Sequence, residues 1–304
     1  MNLRPNFFII GAPRSGTTSM YRYLREHPEV AMADLKEPHY FCDDLIDPDF
    51  ITDRDDYLAL FQNVSNEPRI GEASVWYMYS NRASVQIWDF NPEARLIALL
   101  RNPLEMLPSI FWHHVYTGYE ASEDFETTYR SRREAASRGE LAAPFESFRQ
   151  QLEYSRITRY WEQLERFYRT FPRGQIHIVL FEDLKADPAR SFKEVAEFLG
   201  IDPGFEPEFT RFNPQRRVRN RDLARALLRW QGANSSAPPP RSEFGANVLR
   251  VRRRVVHDLS RLNSAPARPS AISSSFLDLI VTDHREDLAR LGELIERDLT
   301  HWFD

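Results

Sequence analysis

The amino-acid sequence predicts a three-layer α/β domain with a central, mostly parallel sheet and a helical C-terminal extension. Three observations predict it. Short apolar runs recur at residues 6–10, 95–100 and 175–180, each the length of a strand buried on both faces. A stretch with helical spacing follows each run, and alternation of strand and helix is the pattern of a doubly wound sheet. Turn chemistry marks the first two junctions, with Gly11 after the first run and Arg101-Asn102-Pro103 after the second.

The elements follow in order. Asn6-Phe-Phe-Ile-Ile10 is the first strand, and Ser15 to His27 is a helix stopped by Pro28. Arg95-Leu-Ile-Ala-Leu-Leu100 is the second, with a helix from about Pro103, since proline suits a first helical position. Phe145 to Thr170 reads as one long aromatic-rich helical stretch, and Gln175 to Leu180 as the third strand. Asp187-Pro188 through Gly200 carries a capping carboxylate, a proline in the first turn and a glycine past the end. Residues 231–247, with three consecutive prolines, and 263–275, rich in Ser, Ala and Pro, read as loops. One domain over 1–304 is expected, with a core to about residue 200 and a basic loop and helical extension from about 201.

Composition excludes several classes of function. Forty Lys+Arg against 45 Asp+Glu give a net charge of −5, which argues against general nucleic-acid binding. No run of about 18 apolar residues is present, so no membrane span is expected. The apolar segment before Gly11 is too short for a secretory leader, and a cytoplasmic location is expected. A single cysteine, Cys42, rules out an internal disulfide framework and a Cys-rich zinc site, and no metal is expected. The charge is uneven along the chain. Residues 34–56 hold nine acids against Lys36 and Arg54, whereas residues 211–254 hold twelve arginines against Asp222 and Glu243. Either run is a solvated face or faces a ligand.

Gly11-Ala12-Pro13-Arg14-Ser15-Gly16-Thr17-Thr18 lies between the first strand and its helix. There, successive N–H groups at the positive end of a helix dipole cradle phosphate. The glycine spacing matches the Walker pattern G-x-x-x-x-G-K-[ST], which makes the fold P-loop-like, but Thr17 stands where the lysine belongs and the cation is Arg14. A β/γ-phosphate clamp is therefore incomplete, against ATP or GTP hydrolysis. The competing reading is a tight turn with an N-capping Ser15.

Pro13-Arg14-Ser15-Gly16-Thr17-Thr18 resembles the first signature of the PAPS-dependent sulfotransferases, P-[KR]-S-G-T-[TS]. Arg101-Asn102-Pro103 with Ser109 resembles the second, R-[ND]-P-x5-S, and Phe181-Glu182-Asp183-Leu184 resembles the family's aromatic-E-D-L segment. The resemblance covers residues 6 to about 200 and extends only loosely beyond. It implies that the loop from Pro13 to Thr18 holds the 5′-phosphosulfate of 3′-phosphoadenylyl sulfate (PAPS), with Arg14 beside the transferring group. It also implies that Arg101 and Ser109 bind the 3′-phosphate, and that the product is 3′-phosphoadenosine 5′-phosphate (PAP). Arg216, Arg217 and Arg219 sit where family members carry a late basic loop over the cofactor.

Sulfuryl transfer needs orientation, charge stabilisation and a base for the acceptor's proton. By resemblance to glycan-type enzymes, which carry a Glu just before an aromatic pair, Glu37 of Lys36-Glu37-Pro38-His39-Tyr40-Phe41 is the expected base. His39, His113 and His114 compete for that role. Gly71-Glu72-Ala73-Ser74-Val75-Trp76-Tyr77 resembles the family's E-[KA]-[ST]-P-x-Y stretch, with Ala73 where several members have Lys and Val75 in place of proline. Glu72 is either a second acid near the acceptor or a structural partner. Tyr77 and Trp112, with Trp76 and Tyr116, either line an acceptor pocket or belong to the core. His39, Glu72, Tyr77, Trp112 and His113 are the expected acceptor contacts. The expected activity is sulfuryl transfer from PAPS to a hydroxyl. The acidic stretch beside Glu37 points to a neutral small molecule, lipid or sugar as acceptor. A small-molecule kinase and an inactive nucleotide-binding module are the alternatives.

Overall fold

The computed structural model describes residues 4–45, 47, 49–117, 119–120, 122–140, 153–210, 216–218 and 272–303, with scattered positions between 220 and 266. β1 (Phe7–Gly11) is buried along its whole length. α1 (Thr17–Glu26) follows it and leads to the short β2 (Val30–Met32). After α2 (Arg54–Ala59) come β3 (Arg69–Ala73), α3 (Ala83–Phe90), β4 (Arg95–Leu100) and α4 (Pro103–Thr117). α5 (Phe125–Ser137), α6 (Tyr154–Ile157) and α7 (Tyr160–Thr170) precede β5 (Ile176–Leu180), α8 (Phe181–Ala186) and α9 (Pro188–Leu199). β6 (Arg216–Val218), β7 (Ser264–Pro266) and the long α10 (Ser274–Ile295) complete the described elements.

β1 to β5 form one parallel sheet in the order β2-β3-β1-β4-β5, and β6 pairs antiparallel with β7. Alternation along the strands explains the three layers, because neighbouring side chains leave a strand on opposite faces. Phe7 and Ile9 pack with Met20 and Leu24 of α1 and Phe192, Val195 and Leu199 of α9. Phe8 and Ile10 face the other way, into a cluster with Met106 and Ile110 of α4, Leu164 of α7 and Ile280 of α10. The C-terminal helix therefore shares the sheet's core. The tightest approach is at Gly71, where an added Cβ would lie 2.2 Å from the Phe7 ring.

β1 has β3 on one side and β4 on the other, while α1 leaves β1 for one face and α4 leaves β4 for the opposite face. The loops diverge there and open a crevice at the carboxyl ends of the strands, the usual ligand position in such sheets.

The three expected strands and the α1 and α9 helices are found, shifted by a residue or two. Asp187 caps α9 through the Arg190 N–H, and Gly200 closes it at φ 67°. Three expectations are corrected. The stretch ending at Thr170 is not one helix: α6 and α7 are separated at Thr158–Arg159, where Asp287 of α10 accepts the N–H groups of Trp161 and Glu162 and gives α7 its own start. β2 and β3 carry no long apolar run, and β3 is half Gly, Glu and Arg. Residues 263–275 are not all loop, since they contain β7 and Ser273, whose hydroxyl caps α10. Residues 231–247 lie outside the described residues. No helix among the described residues is long and apolar enough to cross a membrane.

Candidate active site

A cleft of about 430 Å³ occupies the crevice. Its floor is the turn between β1 and α1. Gly16, at φ 90°, is the N-cap of α1 and has no side-chain cap; residues Gly16 to Ser19 line the cleft. The first N–H groups of a helix lack intrahelical partners and carry its positive dipole end, so this floor suits an anion. An added Cβ at Gly16 would fall 2.8 Å from Leu184 and 3.2 Å from Phe181 of α8, so the helix start also needs glycine for space. Ser15 is fully buried and donates to Pro13 O at 3.3 Å, which holds the turn from behind.

Two cations from different loops meet above this floor. Arg14, in the left-handed region at φ 59°, donates Nε to Ser109 Oγ at 3.1 Å across 95 residues of sequence. Arg101 donates Nη1 to Arg14 O at 3.2 Å and packs 4.5 Å over the Phe181 ring, while Glu105 in the first turn of α4 accepts from its Nε and Nη2. Asn102 caps α4, its Oδ1 taking the Leu104 N–H and its carbonyl the Glu105 and Met106 N–H groups. That cap fixes where Ser109 and His113 emerge. Burial and the neighbouring Arg101 pull Arg14 down to about 10, against the opposing effect of Glu37. It is still a cation at neutral pH, one whose solvation is incomplete.

Glu37 and His39 enter from the loop after β2, both left-handed, at φ 66° and 52°. Glu37 N–H donates to Ala73 O at 2.9 Å, and His39 N–H donates to Ser74 Oγ at 3.0 Å, so the end of β3 docks the loop. Lys36 Nζ holds Glu37 Oε1, and His39 Nε2 lies 3.8 Å from Oε2. Burial favours the protonated acid, but Lys36 and then His39 outweigh it and keep the Glu37 carboxyl well below the usual range. His39 is lowered by burial despite Glu37, and its Nδ1 is buried with no partner among the described residues. Burial and Arg14 push His113 down to about 3. His114, lowered further by burial and by His113, faces Tyr154 OH at 3.1 Å.

Pro13, Arg14, Gly16, Thr17, Thr18, Glu37, His39, Arg101, Ser109 and His113 all line the one cleft. Three expected acceptor contacts do not. Glu72 is fully buried in β3, accepting hydroxyls from Tyr57 (3.2 Å), Tyr77 (2.5 Å) and Ser74 (2.7 Å), and burial pushes it up to about 7. Tyr77 is fully buried, turned onto that carboxylate. Trp112 lies outside the lining, packed edge-on against Phe111. Glu72 sits behind the wall of the site because β3 turns alternate residues into the core. Arg216 and Arg217 fall in β6, whose backbone lies against α4; Arg219 lies outside the described residues.

Sequence reasoning missed Phe50 and Tyr119 in the lining, and the tie through Ser74; short loops of mixed polarity give no periodic signal for such contacts. It underrated the 181–184 segment. Phe181 carries Arg101, Leu184 packs under Gly16, and Glu182 and Asp183 accept from Trp302 Nε1 (2.7 Å) and Arg297 (2.9 Å), clasping the chain's end.

A family model described as "Sulfotransferase domain" matches residues 4–212. Carbohydrate sulfotransferase 15 of Homo sapiens is 32% identical over 163 residues, covering 40% of this chain and 29% of that protein. Heparan sulfate glucosamine 3-O-sulfotransferase 3A1 of Mus musculus is 26% identical over 203 residues, covering 65% and 46%. The chain thus spans under half the length of these curated relatives. A solved sulfotransferase from Alicyclobacillus acidocaldarius shares the fold over 99% of both chains, with a TM-score of 0.72 at 24% identity.

The depressed histidines give a prediction. A His whose folded pKa is about 3 instead of 6.5 stays neutral through the physiological range. Its ring resonances in the free protein, followed by NMR, are expected to stay flat between pH 5 and 8. A titration of His113 centred near 6.5 would contradict the burial and the influence of the Arg14 charge.

Proposed function

The chain belongs to the sulfotransferase-domain family, and from that premise we propose that this cleft moves a sulfuryl group from PAPS to an acceptor hydroxyl. One observation carries the reading: the Arg14–Ser109 hydrogen bond brings both signature segments, Arg101 and the N-terminus of α1 into a cleft that also holds Glu37. The donor set fits a phosphorylated nucleotide. It offers two guanidiniums, the hydroxyls of Thr17, Thr18, Ser19 and Ser109, and helix N–H groups, all suited to phosphate oxygens. Thr17 in place of the Walker lysine weighs against a kinase.

When bound, PAPS supplies an activated sulfuryl group on a phosphate leaving group. Around it the chain's residues divide the work. The start of α1 and Arg14 hold the 5′ end, with Ser109 fixing the plane of the guanidinium. Negative charge growing on the leaving oxygen is then met by donors already oriented, which is the largest single means of stabilising such a transition state. Arg101, with Phe181 beneath it, recognises the 3′-phosphate. Glu37 takes the acceptor's proton at Oε2, because Oε1 is held by Lys36. Its low pKa keeps it ionised. A hydroxyl gives up its proton readily only as its oxygen bonds to sulfur, so an always-ionised carboxylate placed at that oxygen suffices.

For the acceptor we infer a neutral or weakly charged hydroxyl compound. Phe50, Trp76 and Tyr119 give it apolar walls, and Asp47 and Asp49 lie on the same lining. His39 Nδ1, buried and unpartnered among the described residues, suits a polar group of that acceptor.

Three outcomes test this. PAP is expected to bind more tightly than ATP by calorimetry, and Arg101→Ala to weaken PAP by about 1.5–3 kcal/mol, the loss typical of a charged hydrogen bond; equal affinity for PAP and ATP would remove the donor assignment. Glu37→Gln is expected to lower turnover by roughly 10²- to 10⁴-fold with PAP affinity nearly unchanged, and normal turnover would move the base to His39 or His113. Transfer to neutral acceptors is expected to exceed transfer to a polyanionic glycan across a salt series. Faster transfer to the polyanion, falling steeply as salt rises, would instead place the late arginines at the acceptor.

A further inference from the structure

Glu72 is a fully buried carboxylate with no cation at salt-bridge distance among the described residues. Such a group is costly to keep. Its three hydroxyl donors satisfy it, and each of them also reaches the segment that carries Glu37. Ser74 Oγ, which donates to Glu72 Oε2 at 2.7 Å, accepts the His39 N–H at 3.0 Å. Tyr57, which donates to Oε1, is stacked on Tyr40 with ring centroids 4.3 Å apart. Tyr77, the other donor to Oε1, stands edge-on to the His39 ring at 6.3 Å and tilted against Phe41 at 5.7 Å.

The segment held in this way is strained. Glu37 and His39 are non-glycine residues in the left-handed region, a conformation that persists only when surrounding contacts over-determine it. Three hydrogen bonds to its backbone do so: Glu37 N–H to Ala73 O, His39 N–H to Ser74 Oγ and Ile51 N–H to Pro38 O. Only the second depends on a side chain. Because the Ser74 hydroxyl donates its proton to Glu72 Oε2, its oxygen's lone pairs are left for the His39 N–H.

We propose that Glu72 and Ser74 are positioning residues for the transfer step, a buried relay from β3 that holds the His39 backbone and so aims Glu37 at the acceptor oxygen. The inference rests on Glu37 being the base. Neither residue touches the cleft. Their effect is therefore on orientation, where a displacement of about 1 Å costs up to 10²-fold in rate. Among the described residues no hydrogen bond joins Glu72 or Ser74 to Arg14, Arg101 or α1, which build the donor pocket.

Turnover of Glu72→Gln, Ser74→Ala and the double variant, normalised to sites counted by PAP binding, tests it. Each single change is expected to lower kcat about 10- to 100-fold with PAP affinity and acceptor KM within about twofold. The double variant is expected to be no slower than the slower single one, since members of one relay are not additive. Normalising to PAP sites removes any loss of folded protein, and Ser74→Ala alone carries the test if Glu72→Gln does not fold. Single variants within twofold of wild-type kcat, losses that multiply in the double, or PAP affinity that falls in step would each overturn the relay. A disabled Glu37→Gln beside normal Glu72 and Ser74 variants removes the relay alone, whereas a fully active Glu37→Gln removes the base on which it rests.

Discussion

The hydrogen bond from Arg14 Nε to Ser109 Oγ ties the Arg14 loop after β1 to α4, and so to the Arg101 loop after the adjacent strand β4. β1 sends its helix to one face of the sheet and β4 sends its helix to the other. Without a tie, the two loops would present separate cations at separate heights. With it, the Arg14 guanidinium is held in one plane, its carbonyl is within reach of Arg101, and both charges lie over the same helix N-terminus. Burial first, and then repulsion from Arg101, lowers the pKa of Arg14. Two such charges over a helix N-terminus suit an anion placed between them, in keeping with the proposed phosphorylated nucleotide.

Strain is concentrated in the same place. Among the described residues four non-glycine positions have positive φ, and Arg14, Glu37 and His39 are three of them, all lining the cleft. Each costs on the order of 1–3 kcal/mol, which the surrounding packing must offset. For the Glu37 loop that offset comes from β3. Its end supplies two acceptors, and beneath it a buried carboxylate gathers three hydroxyls whose rings and oxygens brace residues 39 to 41. On the proposed reading the sheet sets both halves of the reaction, the donor end through β1 and β4, and the base through β3.

Legibility in the sequence followed the strength of local signals. β1, β4 and β5 are short, mostly apolar runs bounded by turn residues or leading into a helix, the pattern of buried strands, and the caps of α9 are chemically unambiguous. The loop at Gly11–Thr18 could be placed because glycine spacing and a following helix restrict what it does. β3 escaped notice as a strand because Arg69-Ile-Gly-Glu-Ala73 has neither an apolar run nor alternation: Gly71 is there to admit the Phe7 ring, and Glu72 is buried only because three hydroxyls converge on it. The same fact explains why Glu72 and Tyr77 were expected at the acceptor. Resemblance to the family's E-[KA]-[ST]-P-x-Y stretch left acceptor contact and a structural role open for both, and satisfaction of the carboxylate, which decides between them, is a property of three dimensions. Glu37 was legible as a residue, but the Lys36 and His39 contacts that set its charge were not.

The central claim is that the cleft catalyses sulfuryl transfer. The direct measurement is to incubate the purified chain with PAPS labelled in the sulfuryl group and a panel of hydroxyl acceptors, and to identify the products by mass spectrometry. The account predicts PAP and an O-sulfated acceptor appearing in equal amounts, with the label in the acceptor. Release of free sulfate at the same rate with and without acceptor, or transfer of a phosphoryl group from a nucleoside triphosphate, would contradict it.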